Sequence, residues 1–352
     1  MKGKYKIGIW GQFGGGKQVA DGQAVKTIIF AEELRKKYGA DKVFTVDTNN
    51  WRKHPFRLFF NTLKMNAKCE NVCILPADNG FKVCVPLLNF TNAFFHRTMY
   101  YVVIGGFLPA LLKREPKYLK MLKKYKAHFP ETENLKKDME DAGLENVHVL
   151  HNLKRLNTLS ADSVQPCREK EVKVCTFARI TETKGVAYAI EAVKLANEKL
   201  GGNYIKLDMY GICPPSYQPT YDKLLAENGD FVTYGGVVNF NKTTETLKDY
   251  FAMLFPTYYH GEGFPGTVID AYNAALPMIA TRWNYNADVI EDGVNGILVP
   301  IKDAEAMCNA LLELYNDRDR AYEIAMNNLN SAEQYTPDRV LAKFYEFLDA
   351  EK

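Results

Sequence analysis

An α/β protein of two Rossmann-like domains facing one another across a cleft is the architecture this sequence predicts, and three observations predict it. Its 352 residues exceed what one ordinary core fills, so two domains of about 150–200 residues are expected. Apolar strand-like runs alternate with helical patterns along the chain, as in a parallel sheet whose strands are joined by helices. The alternation then restarts after a seam near Asp162–Lys170. Residues 1–165 are therefore read as a first domain and 166–335 as a second, with 336–352 as a closing helix that docks back on the body. In such sheets ligands bind beyond the carboxyl ends of the strands.

The elements are taken in order. Strands are expected at Tyr5–Trp10, Lys42–Val46, Val72–Leu75, Tyr100–Ile104, Ala127–Phe129 and Val147–Leu150. The first helix has Asp21 as its candidate cap, Val25, Ile28, Ile29 and Leu34 on one apolar face, and Gly39 as its stop. In the second half Val172–Ala178 and Ile205–Tyr210 are strands, separated by a helix from Gly185 to Leu200 that turns Val186, Ile190, Val193 and Leu200 inward. Pro277–Thr281 is a further buried strand. The final helix carries Val340, Leu341, Phe344, Phe347 and Leu348, more apolar surface than a free tail needs.

Composition narrows the class. No run of 18 apolar residues occurs, and the N-terminus breaks into glycines too early for a secretory leader. Seven scattered cysteines with no C-x-x-C pair read as reduced thiols rather than disulfides or a zinc site. A cytoplasmic protein is expected. The net charge of +3 hides an asymmetry. Residues 1–165 hold 27 Lys and Arg against 15 Asp and Glu, a net +12, whereas the rest is net −9. The basic residues crowd into Trp51–Lys64 and Lys113–Lys126, interleaved with aromatics. Such segments suit an anionic membrane surface or are plain solvated helix faces, and both readings stay open. Nucleic acid is not expected as a partner, because the second half is acidic and no binding motif for it appears.

Four constellations converge on a phosphate-plus-sugar site. The most informative is HGEGFPGTVIDAYNAALPMIATRWNYNADVIEDGVNGILVP, from His260 to Pro300. It sets Glu262 in a glycine-rich loop that opens, at Gly266 and Thr267, into a helix bearing Asp270. Backbone N–H groups at such a helix start hold phosphate. Next comes Phe177-Ala178-Arg179 through Lys184-Gly185, which places two cations between a strand and a helix, with a surface pairing to Glu182 as the plain alternative. Gly14-Gly15-Gly16 after the first strand either lets backbone approach a ligand or is a plain mobile loop; counted from Gly11, Lys17 falls at the lysine position of a phosphate loop, but Gln18 breaks the pattern. Last, Tyr210-Gly211 and Tyr234-Gly235-Gly236-Val237 either lay backbone against a nucleobase or are plain turns.

Taken in order, R-x4-K-G and then E-G-F-x-G-T-x-I-D-A-Y-x-A-x-x-P-M-I-A-T resembles the family-4 retaining glycosyltransferases of GT-B fold, in particular bacterial capsular and exopolysaccharide transferases. YYVVIGGFLPALL, NVHVLHNLKRL and YFAMLFPTYYHGEGFPGT support it in the same order. The resemblance implies that Arg179 and Lys184 bind the donor diphosphate and that Glu262 contacts the donor sugar. It further implies that Gly266 and Thr267 form the phosphate-binding helix start, that Asp270 holds the ribose, and that Gly15 and Gly16 approach from the first domain. Gly211, Val237 and Phe264 join them on the donor side. Asp270 is shorter than the family's glutamate by about 1.5 Å. Ile104-Gly105-Gly106 stands where many relatives carry a histidine; His96 and His151 are the nearby imidazoles, and Asp78 and Asn79 are the acceptor-side candidates.

The activity that the resemblance implies is transfer of a sugar, with retention, from a nucleotide-diphosphate donor, most simply a UDP-sugar, with no metal or other cofactor. The acceptor would be a saccharide, in its finer form lipid-linked and at the inner membrane face, in bacterial surface polysaccharide synthesis. Two rivals remain: a nucleotide-sugar epimerase of GT-B architecture and a non-catalytic two-lobed sugar-binding protein. The donor sugar, the acceptor and the linkage are not written in the sequence.

Overall fold

The computed structural model describes residues 3–16, 22–155 and 157–350. Asp21, Lys17 and Gln18 lie outside them. The chain forms two units: Met1–Lys154 with Thr336–Lys352, and Arg155–Tyr335. The division thus falls at Lys154 rather than at 165, and the closing segment belongs with the first unit.

The first unit is built on β1 (Tyr5–Gly11), β2 (Val43–Asp47), β3 (Cys69–Ile74), β4 (Thr98–Val102) and β5 (Ala127–Phe129). All are parallel, in the order β2-β1-β3-β4-β5. This is the 2-1-3-4-5 doubly wound arrangement, whose switch point lies between β1 and β3. Its helices are α1 (Gly22–Tyr38), α2 (Pro55–Lys68), α3 (Asp78–Asn92), α4 (Leu108–Arg114), α5 (Lys117–Leu122) and α6 (Glu133–Asp141). From Val72 to Ile74 β3 is buried on both faces, so that stretch reads as a continuous apolar run rather than an alternating one.

Two expectations need correction here. Val147–Leu150 is not a strand; Val147 makes a single bridge to His128. His128 N–H bonds Asn146 O, His148 N–H bonds His128 O, and Leu150 N–H bonds Pro130 O. The next rung would need an N–H from Pro130, which proline lacks. The basic run Lys113–Lys126 is likewise no single helix. It spans the end of α4 and all of α5, with Glu115 and Pro116 between them.

The second unit continues with β6 (Val172–Phe177), α7 (Val186–Leu200), β7 (Ile205–Tyr210), α8 (Gln218–Asn228), β8 (Val232–Gly236), α9 (Thr243–Leu247) and β9 (Ala252–Phe255). Then come α10 (Gly266–Asn273), β10 (Met278–Thr281), β11 (Ile297–Val299), α11 (Ala304–Asn316) and α12 (Arg318–Ala332). The parallel order β11-β10-β9-β6-β7-β8 is the 3-2-1-4-5-6 order read backwards, with its switch point between β6 and β9. Pro337–Asp349, α13, returns to the first unit. Its Phe344 is fully buried and meets Phe30, Phe129 and Tyr100 edge-on at 4.9, 5.2 and 5.6 Å. Lys6 Nζ bonds the Leu348 carbonyl at 3.0 Å and pairs with Asp349 at 3.2 Å, fixing the helix end.

Candidate active site

The chemistry-bearing residues of the second unit gather beyond the carboxyl ends of β6, β7, β8 and β9. Between β6 and α7 the chain makes one tight turn, Glu182–Lys184, and then Gly185 at φ +74°. A Cβ there would stand 2.1 Å from the Pro256 carbonyl oxygen, so only glycine lets the turn press against the end of β9. Tyr258 N–H bonding Thr183 O at 2.8 Å closes the same contact. Lys184 is thereby aimed at the loop after β9. Its ammonium meets Glu262 Oε2 at 2.6 Å, the two side chains being 11% and 9% exposed. Thr257 Oγ1 donates to the same Oε2 at 2.7 Å. Stripping water from two charges costs several kcal/mol each, and the short pair with its added hydroxyl offsets that only while both partners stay.

The loop is held from a third side. Asn284 Nδ2 donates to the carbonyls of His260 and Glu262 at 3.0 and 3.3 Å, and Trp283 Nε1 to Tyr259 O at 2.9 Å. Arg179 is exposed, its guanidinium 5.9 Å from the Tyr259 ring centroid; Lys184 Nζ is 5.3 Å from the same ring. Two cations therefore flank one aromatic ring. Gly266 and Thr267 open α10 behind a Pro265 cap that offers no side-chain bond. Their N–H groups are the orphan donors of a helix start. The Thr267 hydroxyl is not free for a diphosphate, because it donates to Phe177 O at 2.8 Å and ties α10 to β6.

The remaining predicted residues divide. Gly211, at φ +139°, packs where a Cβ would lie 1.9 Å from Ala178 O, and its N–H bonds Gly236 O at 2.9 Å. Val237, just past β8, is exposed. Phe264 is buried edge-on to Tyr335 at 4.9 Å, so its side chain anchors the loop. Asp270 is 1% exposed, one turn inside α10, where protein encloses it. Sequence reasoning missed Thr257 and Asn284. Thr257 was legible only as a polar residue at a strand end, five positions before Glu262; Asn284, at φ +45°, carried no local signal.

In the first unit, the glycine loop is not an open anion cradle. Asp47 Oδ1 already takes Phe13 N–H at 2.9 Å, and its Oδ2 takes Gly15 N–H at 3.1 Å, while Gly16 follows in the same turn. Asp78 opens α3 beyond β3, with Asn79 next to it. Beyond β4 the Gly105 N–H donates to Glu131 Oε2 at 3.1 Å, and Glu131 Oε1 meets Lys26 Nζ at 2.6 Å in an almost fully buried pair. His151 Nδ1 lies 2.8 Å from Glu131 O, and His96 is exposed at φ +53°. The Lys26–Glu131 pair was invisible in the sequence, its partners being 105 positions apart. Among the described residues no cluster of three or more His, Cys, Asp or Glu is placed to hold a metal ion, and no helix is long and apolar enough to cross a membrane.

Residues 171–317 match the family model described as Glycosyl transferases group 1. Among curated proteins, the amylovoran biosynthesis glycosyltransferase AmsK of Erwinia amylovora is 28% identical over 151 residues, 41% of this chain. The chain spans 36% of that protein's length. Among solved structures, Anabaena Alr3699/HepE in complex with UDP-glucose superimposes with a TM-score of 0.78 over 98% of this chain and 99% of its own, at 14% identity. The lipopolysaccharide outer core galactosyltransferase WaaB gives 0.68 over the full length of both chains, again at 14%. Sucrose-phosphate synthase from Thermosynechococcus elongatus gives 0.75 over 98% and 99%, also at 14%. At that identity the likeness is one of fold, and the fold is GT-B.

Proposed function

We propose that this chain, a GT-B protein with a glycosyl transferases group 1 domain over residues 171–317, transfers a sugar from a UDP-sugar to a saccharide acceptor with retention at the anomeric carbon. The observation that carries the reading is the Lys184–Glu262–Thr257 cluster beside the bare start of α10, at the switch point of the second sheet. The bonds from Lys184 and Thr257 to Glu262 both fall on Oε2, which leaves Oε1 to accept a donor-sugar hydroxyl. Lys184, Arg179 and the Gly266 and Thr267 N–H groups supply positive potential for the diphosphate. As the glycosidic C–O bond breaks, negative charge grows on the departing diphosphate, and preorganised donors aimed at it lower the barrier. The acceptor oxygen bonds to the anomeric carbon from the same face, and its proton passes to the leaving diphosphate. A lipid-linked acceptor in surface polysaccharide synthesis is the finer form of this proposal, supported by the polysaccharide-synthesis relative and the basic first unit.

Arg179→Ala is the cleaner test, since Arg179 is exposed and its loss leaves no buried charge behind. It is expected to lower kcat/KM for UDP-sugar turnover tenfold or more, about 1.4 kcal/mol of transition-state stabilisation. Lys184→Met paired with Glu262→Gln removes the second cation without stranding its partner. Unchanged turnover in both variants rejects the site. Conversion of a UDP-sugar to its epimer without acceptor would replace transfer with epimerisation. Binding with neither hydrolysis nor transfer would reduce the chain to a sugar-binding protein.

A further inference from the structure

We propose that α2, the end of α3 and the turn after it form a docking surface for an anionic lipid bilayer. The inference rests on the transfer reading only in that it names where a lipid-linked acceptor would be met. Four phenylalanines stand out on this face: Phe56 and Phe60 are 78% and 62% exposed, and Phe90 and Phe94 are 60% and 69% exposed. Each pair is spaced i, i+4, so each lies on one side of its helix or helix end. Phe90 and Phe94 meet edge-on at 5.9 Å. The crossovers β2→β3 and β3→β4 step the same way along the sheet, so their right-handedness puts α2 and α3 on the same face. Asn66 Nδ2, bonding Thr91 Oγ1 at 2.7 Å, joins their last turns, and Arg97 Nε bonds Asn66 O at 2.8 Å.

Charge identifies the occupant. From Thr48 to Cys69 the sequence holds Arg52, Lys53, Arg57, Lys64 and Lys68 and no Asp or Glu; all five cations are exposed. Exposed aromatic rings among such cations suit an interface where rings enter the headgroup and acyl boundary while cations meet anionic lipid. The other basic segment lacks this pairing. Around α5 the Glu115 carboxylate draws in Lys82, Arg114 and Lys117 at 3.7, 3.8 and 3.0 Å, while Tyr118, Leu122 and Tyr125 are buried. Of the two basic stretches, only the α2 side presents apolar rings to the outside.

Flotation of the full chain with vesicles containing phosphatidylglycerol, against pure phosphatidylcholine, tests the surface. The expected result is binding to the anionic vesicles alone, weakened by about tenfold in Phe56→Ser with Phe60→Ser, in Phe90→Ser with Phe94→Ser, and in Arg52→Glu with Arg57→Glu. Lys120→Glu with Lys123→Glu should bind as the unsubstituted chain does. Equal binding to neutral vesicles, indifference to the phenylalanine changes, or loss confined to the Lys120 and Lys123 variant overturns the proposal; so does capture of a short oligonucleotide without flotation. UDP-sugar hydrolysis without acceptor, read on the same preparations, separates the two ideas: it should be equal in every variant, and its absence throughout indicts the transfer reading, not the surface.

Discussion

Thr257 shows how much of the site depends on a residue with no reactive chemistry of its own. It is fully buried, donates to Glu262 Oε2, and receives the Tyr259 N–H at 3.3 Å. Thr257→Val keeps the shape but leaves the Glu262 carboxylate with one donor fewer, a loss of about 1–3 kcal/mol for a buried acceptor. We expect kcat/KM for the UDP-sugar to fall about tenfold or more while affinity for UDP itself is unchanged; paired turnover and calorimetric titration check both. His128 gives a pH prediction. Burial, and secondarily the nearby His148, lower its pKa from 6.5 to about 4. Between those values the unfolded chain binds a proton that the folded one does not, so stability falls as pH drops from about 6.5 toward 4, by up to roughly 3 kcal/mol. Urea midpoints at several pH values should show this slope in the natural chain and a shallower one in His128→Phe.

At the scale of elements, Gly185 is the sharpest case. Its left-handed φ and the Pro256 carbonyl at 2.1 Å mean that Gly185→Ala must both strain the backbone and displace the end of β9. A loss of about 3 kcal/mol or more is expected, with the Lys184–Glu262 contact disturbed; denaturant unfolding and UDP-sugar turnover should both register it. The turn was legible in the sequence as strand, cations and glycine in succession, because its determinants are local. Strand periodicity was legible for the same reason at Val172–Phe177 and Ile205–Tyr210. It misled at Val147–Leu150, where the apolar pattern is sound but the missing donor sits on Pro130, in another segment. The bond from the Thr267 hydroxyl to Phe177 O was not legible for a related reason: the acceptor is 90 positions away.

On the scale of the whole molecule, two cores with opposite charge share one chain. The unit formed by residues 1–154 and 336–352 holds 29 Lys and Arg against 18 Asp and Glu, a net +11, and residues 155–335 are net −8. The asymmetry read from the sequence is thus a property of folded units, although the described residues of 155–171 hold no regular strand or α-helix to mark the seam. That α13 would dock was legible from its apolar spacing. That it completes the first core was not, since Phe30, Tyr100 and Phe129 come from three distant segments. Phe344→Ala should cost about 3–5 kcal/mol, and hydrogen exchange on the full chain should show the damage in α1, β4 and β5. A UDP-sugar at one hundred times its Kd should add about 2.7 kcal/mol where it binds, and protection should rise first in the loop after β9 and in α10. Slowed exchange in α1 and β4 with none in α10 would place the donor in the first unit and reverse the assignment of the two halves.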